Sequence, residues 1–189
     1  MIEWTGERCV PWADVPVVYE HYHRYAFAAQ FAHGKRVLDL ASGEGYGTSI
    51  LAEVASSVTG VDIAADAVAH AAEKYPQATF AEGSMVDPAL LADAGPFDMI
   101  VCYEAVEHVE DHDALMANVR RLLAPGGLFV SSTPDIDIYT HEHNFDNPFH
   151  CHELTETEYL DWLTGAFGNA QILRQNLAVG SLIHGSGQG

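Results

Sequence analysis

The segment Val37-Leu38-Asp39-Leu40-Ala41-Ser42-Gly43-Glu44-Gly45-Tyr46-Gly47 allows few folds. It opens as a short apolar run with a β-branched start, passes through three glycines at alternate positions, and gives way to a helical pattern from Thr48. That order is strand, tight turn, helix. The glycines let the backbone turn sharply and let a ligand lie against bare main chain, beside the unpaired N–H groups of a helix start. The third glycine of a dinucleotide fingerprint would fall at position 48, which is Thr48, so a dinucleotide is the weaker reading. A purely structural Gly-rich turn is the bland alternative, and the residues downstream decide between them.

The rest of the chain alternates in the same way. A helical pattern over residues 18–32 ends near Gly34, and then come strand 37–40, helix 48–55, strand 58–61, helix 65–73, strand 78–81, a short helix 88–92, strand 98–102, helix 111–123 and strand 127–132. A helix over 155–163, a strand over 170–175 and a last strand from 178 to 183 complete the reading, with 186–189 as a frayed end. Alternation of this kind predicts an α/β, Rossmann-like, doubly wound and mostly parallel sheet, seven-stranded with the last strand short or truncated. The 189 residues, 48% of them hydrophobic, suit one domain: an arm and helix (1–33), a ligand-binding core (34–134), an active-site loop (135–154) and a C-terminal helix with edge strands (155–189). The loop is long, polar and rich in histidine, which in a compact domain marks function.

Charge narrows the partners. With 27 Asp+Glu against 8 Lys+Arg the formal charge is −19, which repels nucleic-acid phosphates and anionic membranes. Neither nucleic acid nor a membrane is expected as a partner. The start, Met1-Ile2-Glu3-Trp4, shows no secretory pattern, and no run of about 18 apolar residues occurs. A cytoplasmic protein with three free thiols, Cys9, Cys102 and Cys151, is expected.

In a doubly wound sheet, ligands sit outside the carboxyl ends of the strands. Strand two ends at Asp62, placed to grip both hydroxyls of a ribose, with a helix cap as its plainer role. Strand three ends at Ser84-Met85, a polar group for a purine edge beside an apolar one for its face. The run Val37 to Gly47, Asp62, Phe97-Asp98-Met99-Ile100-Val101 and Leu123-Ala124-Pro125-Gly126-Gly127 resemble the motif series of class I S-adenosylmethionine-dependent methyltransferases over residues 20–175. The resemblance implies S-adenosyl-L-methionine as cofactor, held by Arg24, Tyr25, Ala41, Ser42, Gly43, Gly45, Asp62, Ile63, Ser84 and Met85. Thr5-Gly6-Glu7-Arg8, His23-Arg24-Tyr25, Ser132-Thr133-Pro134 and Asn147-Pro148-Phe149-His150 resemble bacterial methyltransferases of polysaccharide and glycan assembly. In that resemblance Arg24 or Arg8 meets the cofactor's carboxylate; a surface salt bridge is the alternative for each.

Strand four runs into Glu104-Ala105-Val106-Glu107-His108. If a helical turn follows, Glu104, Glu107 and His108 share one face, and two carboxylates so close are unfavourable without a cation. Oxygen-rich ligation with an imidazole suits Mg²⁺ or Mn²⁺, with Zn²⁺ as a further option. Glu-x-x-Glu-His followed by His150, with Glu153 beyond, resembles the metal site of small-RNA 2′-O-methyltransferases and ubiquinone-synthesis O-methyltransferases, which assigns Glu104, Glu107, His108 and His150 as ligands. The alternative is a metal-free Glu-His pair near the substrate, with His108 or His150 as general base. Catalysis is assigned to His108, His150 and Glu107. Asp135, Asp137, His141 and His143 read as a polar lid, and the loop 135–152 is expected to close over the acceptor.

Both routes imply a vicinal diol or catechol. A saccharide hydroxyl comes first, because the loop is rich in hydrogen-bonding groups; a small catechol-like acceptor and a non-catalytic cofactor-binding subunit of a partner enzyme follow. RNA ranks last against the charge of −19. A homo-oligomer is compatible with this reading.

Overall fold

A computed structural model describes residues 16–178 apart from 143, 145 and 146. Residues 1–15 of the irregular arm expected over 1–18, with Arg8 and Cys9, lie outside the described residues, as do His143, all but residue 178 of the expected strand from 178 to 183, and the end at 186–189; residues 16–18 begin α1 instead. The elements follow in order: α1 (Pro16–Ala32), β1 (Arg36–Leu40), α2 (Tyr46–Ala52), β2 (Ser57–Asp62), α3 (Ala65–Lys74), β3 (Thr79–Glu82), β4 (Phe97–Tyr103), a 3₁₀ turn (Val106–His108), α4 (His112–Leu122), β5 (Leu123–Ser132), a π-helical turn (Asp137–Glu142) and α5 (Glu156–Phe167). The strands form one sheet in the order β3-β2-β1-β4-β5, with every pair parallel. The fold is α/β and Rossmann-like.

The sheet is two-faced because alternate side chains of its central strands go to opposite sides. Leu38, Leu40, Ile100 and Cys102 meet Leu115, Val119 and Leu122 of α4 and Tyr159 and Leu163 of α5. On the other face Val37, Met99 and Val101 meet Tyr25, Ala28 and Ala32 of α1 and Leu51 of α2. Burial of each such aliphatic side chain contributes roughly 1.5–3 kcal/mol, which fixes which strand residues point where. Helix boundaries follow local chemistry. The Asp111 side chain accepts the Ala114 N–H at the start of α4, and Thr155 and Glu158 form a capping box at the start of α5. Gly168, at φ 79°, ends α5.

Three expected elements differ. The sheet has five strands among the described residues, not seven. Residues 170–175 form no strand, because their side chains reach helices instead: Ile172 packs on the core, Arg174 pairs with Glu156, and Gln175 bonds to α1. The short helix at 88–92 is a series of turns, since Leu91 at φ 49° leaves the helical region. Among the described residues, no helix is long and apolar enough to cross a membrane.

Candidate active site

The carboxyl ends of β1, β2 and β4 converge on the glycine turn. Ser42 N–H donates to Val61 O at 2.9 Å, which ties the turn to β2, and Ala41 adopts φ 59°. The three glycines prove to serve different ends. Gly43, at φ 54°, has nothing within 4 Å of where a Cβ would stand. A Cβ on Gly45 would come within 2.8 Å of Ala71 and Phe80, and one on Gly47 would be driven to 2.0 Å from the Tyr25 ring. Bare main chain faces open space at Gly43; at the other two the protein itself fills it.

Gly43 N–H also donates to Asp62 Oδ2 at 2.8 Å, while Ala64 N–H donates to Oδ1 at 2.9 Å. Two backbone donors thus fix this carboxylate between the turn and the start of α3, and each oxygen retains a lone pair for a ligand hydroxyl. Ile63 stands beside it, 71% exposed. Met85 packs partly against the core and Ser84 accepts the Val86 N–H at 3.4 Å, so both lie at the tip of the neighbouring strand. The Ser42 hydroxyl is buried without a hydrogen-bond partner.

Tyr25 lies beneath the turn. Its hydroxyl donates to Asp39 Oδ1 at 3.1 Å, and its ring stands edge-on to Tyr46 and Tyr103. Asp39 is fully buried and also accepts from Thr48 Oγ1 at 2.6 Å, so one carboxylate joins α1, β1 and α2. Sequence reasoning passed over Asp39 as part of a motif; a lone acid inside an apolar central strand was the signal. Burial pushes its carboxyl up from 3.8 to about 7. A folded-state value raised above the unfolded one gives stability that is full below about pH 4 and lost as pH rises through about 7. Asp39→Asn is therefore expected to flatten the loss of stability between pH 5 and pH 8, a difference of up to about 2.7 kcal/mol from the roughly two pH units between 5 and 7. Urea unfolding at both pH values measures it, and an identical pH dependence in both proteins would refute it.

At the tip of β4 the expected helical turn from Glu104 does not form. Glu104 takes φ 47°, and its carboxylate turns to Ser132 Oγ at 2.6 Å and Arg24 Nη1 at 3.4 Å. Of the four residues expected as metal ligands, Glu107, His108 and His150 bring one nitrogen or oxygen atom each to within 4.8 Å of one another, and Glu104 is not in that group. Glu107 is 1% exposed, accepts from Thr133 Oγ1 at 3.0 Å, and is pushed from 4.5 to about 8 by burial first and by Glu104 second. A cation beside such a carboxyl would favour its ionised form.

Its two companions are pre-oriented. His108 Nδ1 stands 2.9 Å from Phe149 O and must carry its proton there, which leaves the Nε2 lone pair free toward the cluster. His150 Nδ1 bonds to Glu153 Oε1, while Nε2 lies 2.9 Å from Asn147 Nδ2. A carboxylate behind an imidazole is the arrangement that orients metal-binding histidines. The loop is hooked to the 3₁₀ turn, because Cys151 and His152 donate their N–H groups to Glu107 O at 2.8 and 3.1 Å. His152 further stacks on His112, whose Nε2 lies 3.0 Å from Val106 O. Asp137 and His141 pair with each other at the exposed surface, 3.2 Å apart. Among the described residues they join no cluster of metal-binding type.

Comparison with known proteins places this geometry in context. The family described as "Methyltransferase domain" matches residues 12–169. A protein of Mycolicibacterium smegmatis named "Probable S-adenosylmethionine-dependent methyltransferase" is 32% identical over 166 residues, 86% of this chain and 63% of its own length. The chain thus spans less than two thirds of that relative. A ubiquinone biosynthesis O-methyltransferase of Psychrobacter arcticus is 38% identical over 105 residues, 53% of this chain and 41% of that protein. Among solved structures, the YcgJ protein of Bacillus subtilis superposes with a TM-score of 0.66 at 22% identity, over 77% of this chain and 68% of that one, a likeness of fold.

Proposed function

The chain belongs to the methyltransferase-domain family, and from that premise we propose that it is an S-adenosylmethionine-dependent O-methyltransferase acting on a hydroxyl of a vicinal diol, a saccharide first of all, with help from a divalent cation. The observation that carries this reading is the convergence of Glu107, His108 and His150 at the tip of β4, the strand beside the one that ends in the glycine turn.

The donor, when bound, supplies a methyl group on a sulfonium, ready for in-line displacement by oxygen. Gly43 offers open main chain to it, Asp62 accepts from its ribose hydroxyls, Ile63 and Met85 flank the base, Ser84 meets the base edge, and Arg24 takes its carboxylate. Ala41, Ser42 and Gly45 shape the turn; Tyr25 supports it from below. The donor set of two imidazoles and one carboxylate fits a divalent ion, Mn²⁺ better than Mg²⁺, which prefers oxygen ligands. Such an ion supplies a lowered pKa for one hydroxyl of the acceptor. The protein's own part is to hold His108 and His150 with their Nδ1 protons engaged, to keep Glu107 from water, and to cover the acceptor with the loop 135–152.

A second reading, a small catechol-like acceptor, is favoured by two exposed apolar side chains of the same loop, Phe149 at 39% and Ile138 at 48%. A screen with labelled S-adenosylmethionine against saccharides and catechols distinguishes the two. Incorporation into neither would remove both acceptors.

The ribose assignment has a test of its own. Asp62→Ala should weaken binding of S-adenosylhomocysteine about ten-fold or more by calorimetry, since each lost charged hydrogen bond contributes roughly 1.5 kcal/mol. Equal affinity in both proteins would show that another group binds the ribose.

A further inference from the structure

Arg24 is hydrogen-bonded at one edge of its guanidinium and ion-paired, with no hydrogen bond at Nη1, at the other. Its Nε donates to Gln175 Oε1 at 2.7 Å, from a residue 151 positions away. Gln175 Nε2 in turn donates to Glu20 O at 3.1 Å and lies 3.4 Å from His23 Nδ1. All three contacts are on α1, so the amide is clamped to the helix. The other edge of the guanidinium differs: Nη1 is buried without a hydrogen-bond partner, 3.4 Å from Glu104 Oε1.

A guanidinium is a rigid planar fork, so an acceptor on Nε fixes the plane and hence the direction of the terminal nitrogens. A buried N–H without a partner is costly, and an incoming anionic oxygen relieves that cost. The segment that carries Gln175 has no strand partner of its own; it leaves α5, pairs Arg174 with Glu156, and ends its polar contacts on α1. Its side chains fasten α1 to the carboxyl edge of the sheet, where Tyr103 Oη also donates to Arg24 O at 3.1 Å.

We propose that Gln175 is a positioning residue for the methyl donor: it holds Arg24 by Nε and so presents the guanidinium's terminal nitrogens to the carboxylate of the donor's amino-acid part. The inference rests on the donor reading above and adds to it the residue that sets Arg24's direction. Gln175 itself touches no reacting atom.

The test uses the full chain and two probes, S-adenosylhomocysteine and 5′-methylthioadenosine, which keeps the nucleoside and sulfur but lacks the amino acid. Gln175→Ala should weaken calorimetric binding of the first by about three- to ten-fold, the effect of one lost hydrogen bond, and leave the second unchanged. In an Arg24→Ala background, Gln175→Ala should change neither. No effect on S-adenosylhomocysteine, an equal loss for both probes, or an additional loss in the Arg24→Ala background would each overturn the proposal. A native chain that binds neither probe would overturn the donor reading itself, and the proposal with it.

Discussion

Methyl transfer is expected to cease when divalent ions are removed with a chelator, and Glu107→Ala is expected to lower turnover by about 10³-fold or more, on the scale lost when a principal transition-state stabiliser is removed. Glu107 lies at the centre of the cluster: it is 1% exposed, has His108 and His150 within 4.8 Å by their ligand atoms, and is pushed up to about 8 by its surroundings. Binding of S-adenosylhomocysteine should stay nearly intact in both experiments, because Gly43 and Asp62 belong to a different strand tip. His150→Ala should lose turnover as severely and recover part of it in excess Mn²⁺. The competing account makes His108 Nε2 a general base without metal; it predicts full activity in chelator and a rate that falls toward acid pH. Activity that survives thorough metal removal would decide for the base.

The second large effect is on folding. Gly47→Ala is expected to destabilise the protein by roughly 3 kcal/mol or more, at the upper end for over-packing, because the new methyl falls 2.0 Å from a ring atom of Tyr25. That ring cannot step aside. It is 4% exposed, wedged edge-on between Tyr46 and Tyr103, and its hydroxyl is bonded to Asp39. Gly43→Ala should cost only the roughly 1–2 kcal/mol of a left-handed backbone, since nothing stands within 4 Å. Denaturant unfolding of both variants measures the contrast, and a Gly47→Ala protein as stable as the Gly43→Ala one would remove the Tyr25 contact from the account.

The alternation of elements was legible because it follows from local pattern: β1 and β4 are short, mostly apolar runs, β2 carries β-branched Val58, Thr59 and Val61, and α4 places Leu115, Val119 and Leu122 on one face. What was not legible depended on distant partners. Residues 170–175 look like a strand by composition, yet with Arg174 drawn to Glu156 and Gln175 to α1 they have no ladder to join. The spacing of Glu104, Glu107 and His108 would put all three on one face only if a helical turn followed β4. A left-handed residue at φ 47° breaks that spacing, and spacing alone does not announce it. At Gly45 and Gly47 the atoms that exclude a Cβ belong to Ala71, Phe80 and Tyr25, all distant in sequence, and no local pattern announces them.

The two hydrogen bonds from Cys151 and His152 to the carbonyl of Glu107 make the loop a passenger on the residue it helps to surround. His150 immediately precedes this double hook, and His108 immediately follows Glu107, with its own Nδ1 bound to the loop at Phe149 O. Lifting residues 149–152 from the turn would break these three hydrogen bonds and carry His150 away from Glu107 and His108. Uncovering this side of the site is therefore expected to cost the cluster its third member.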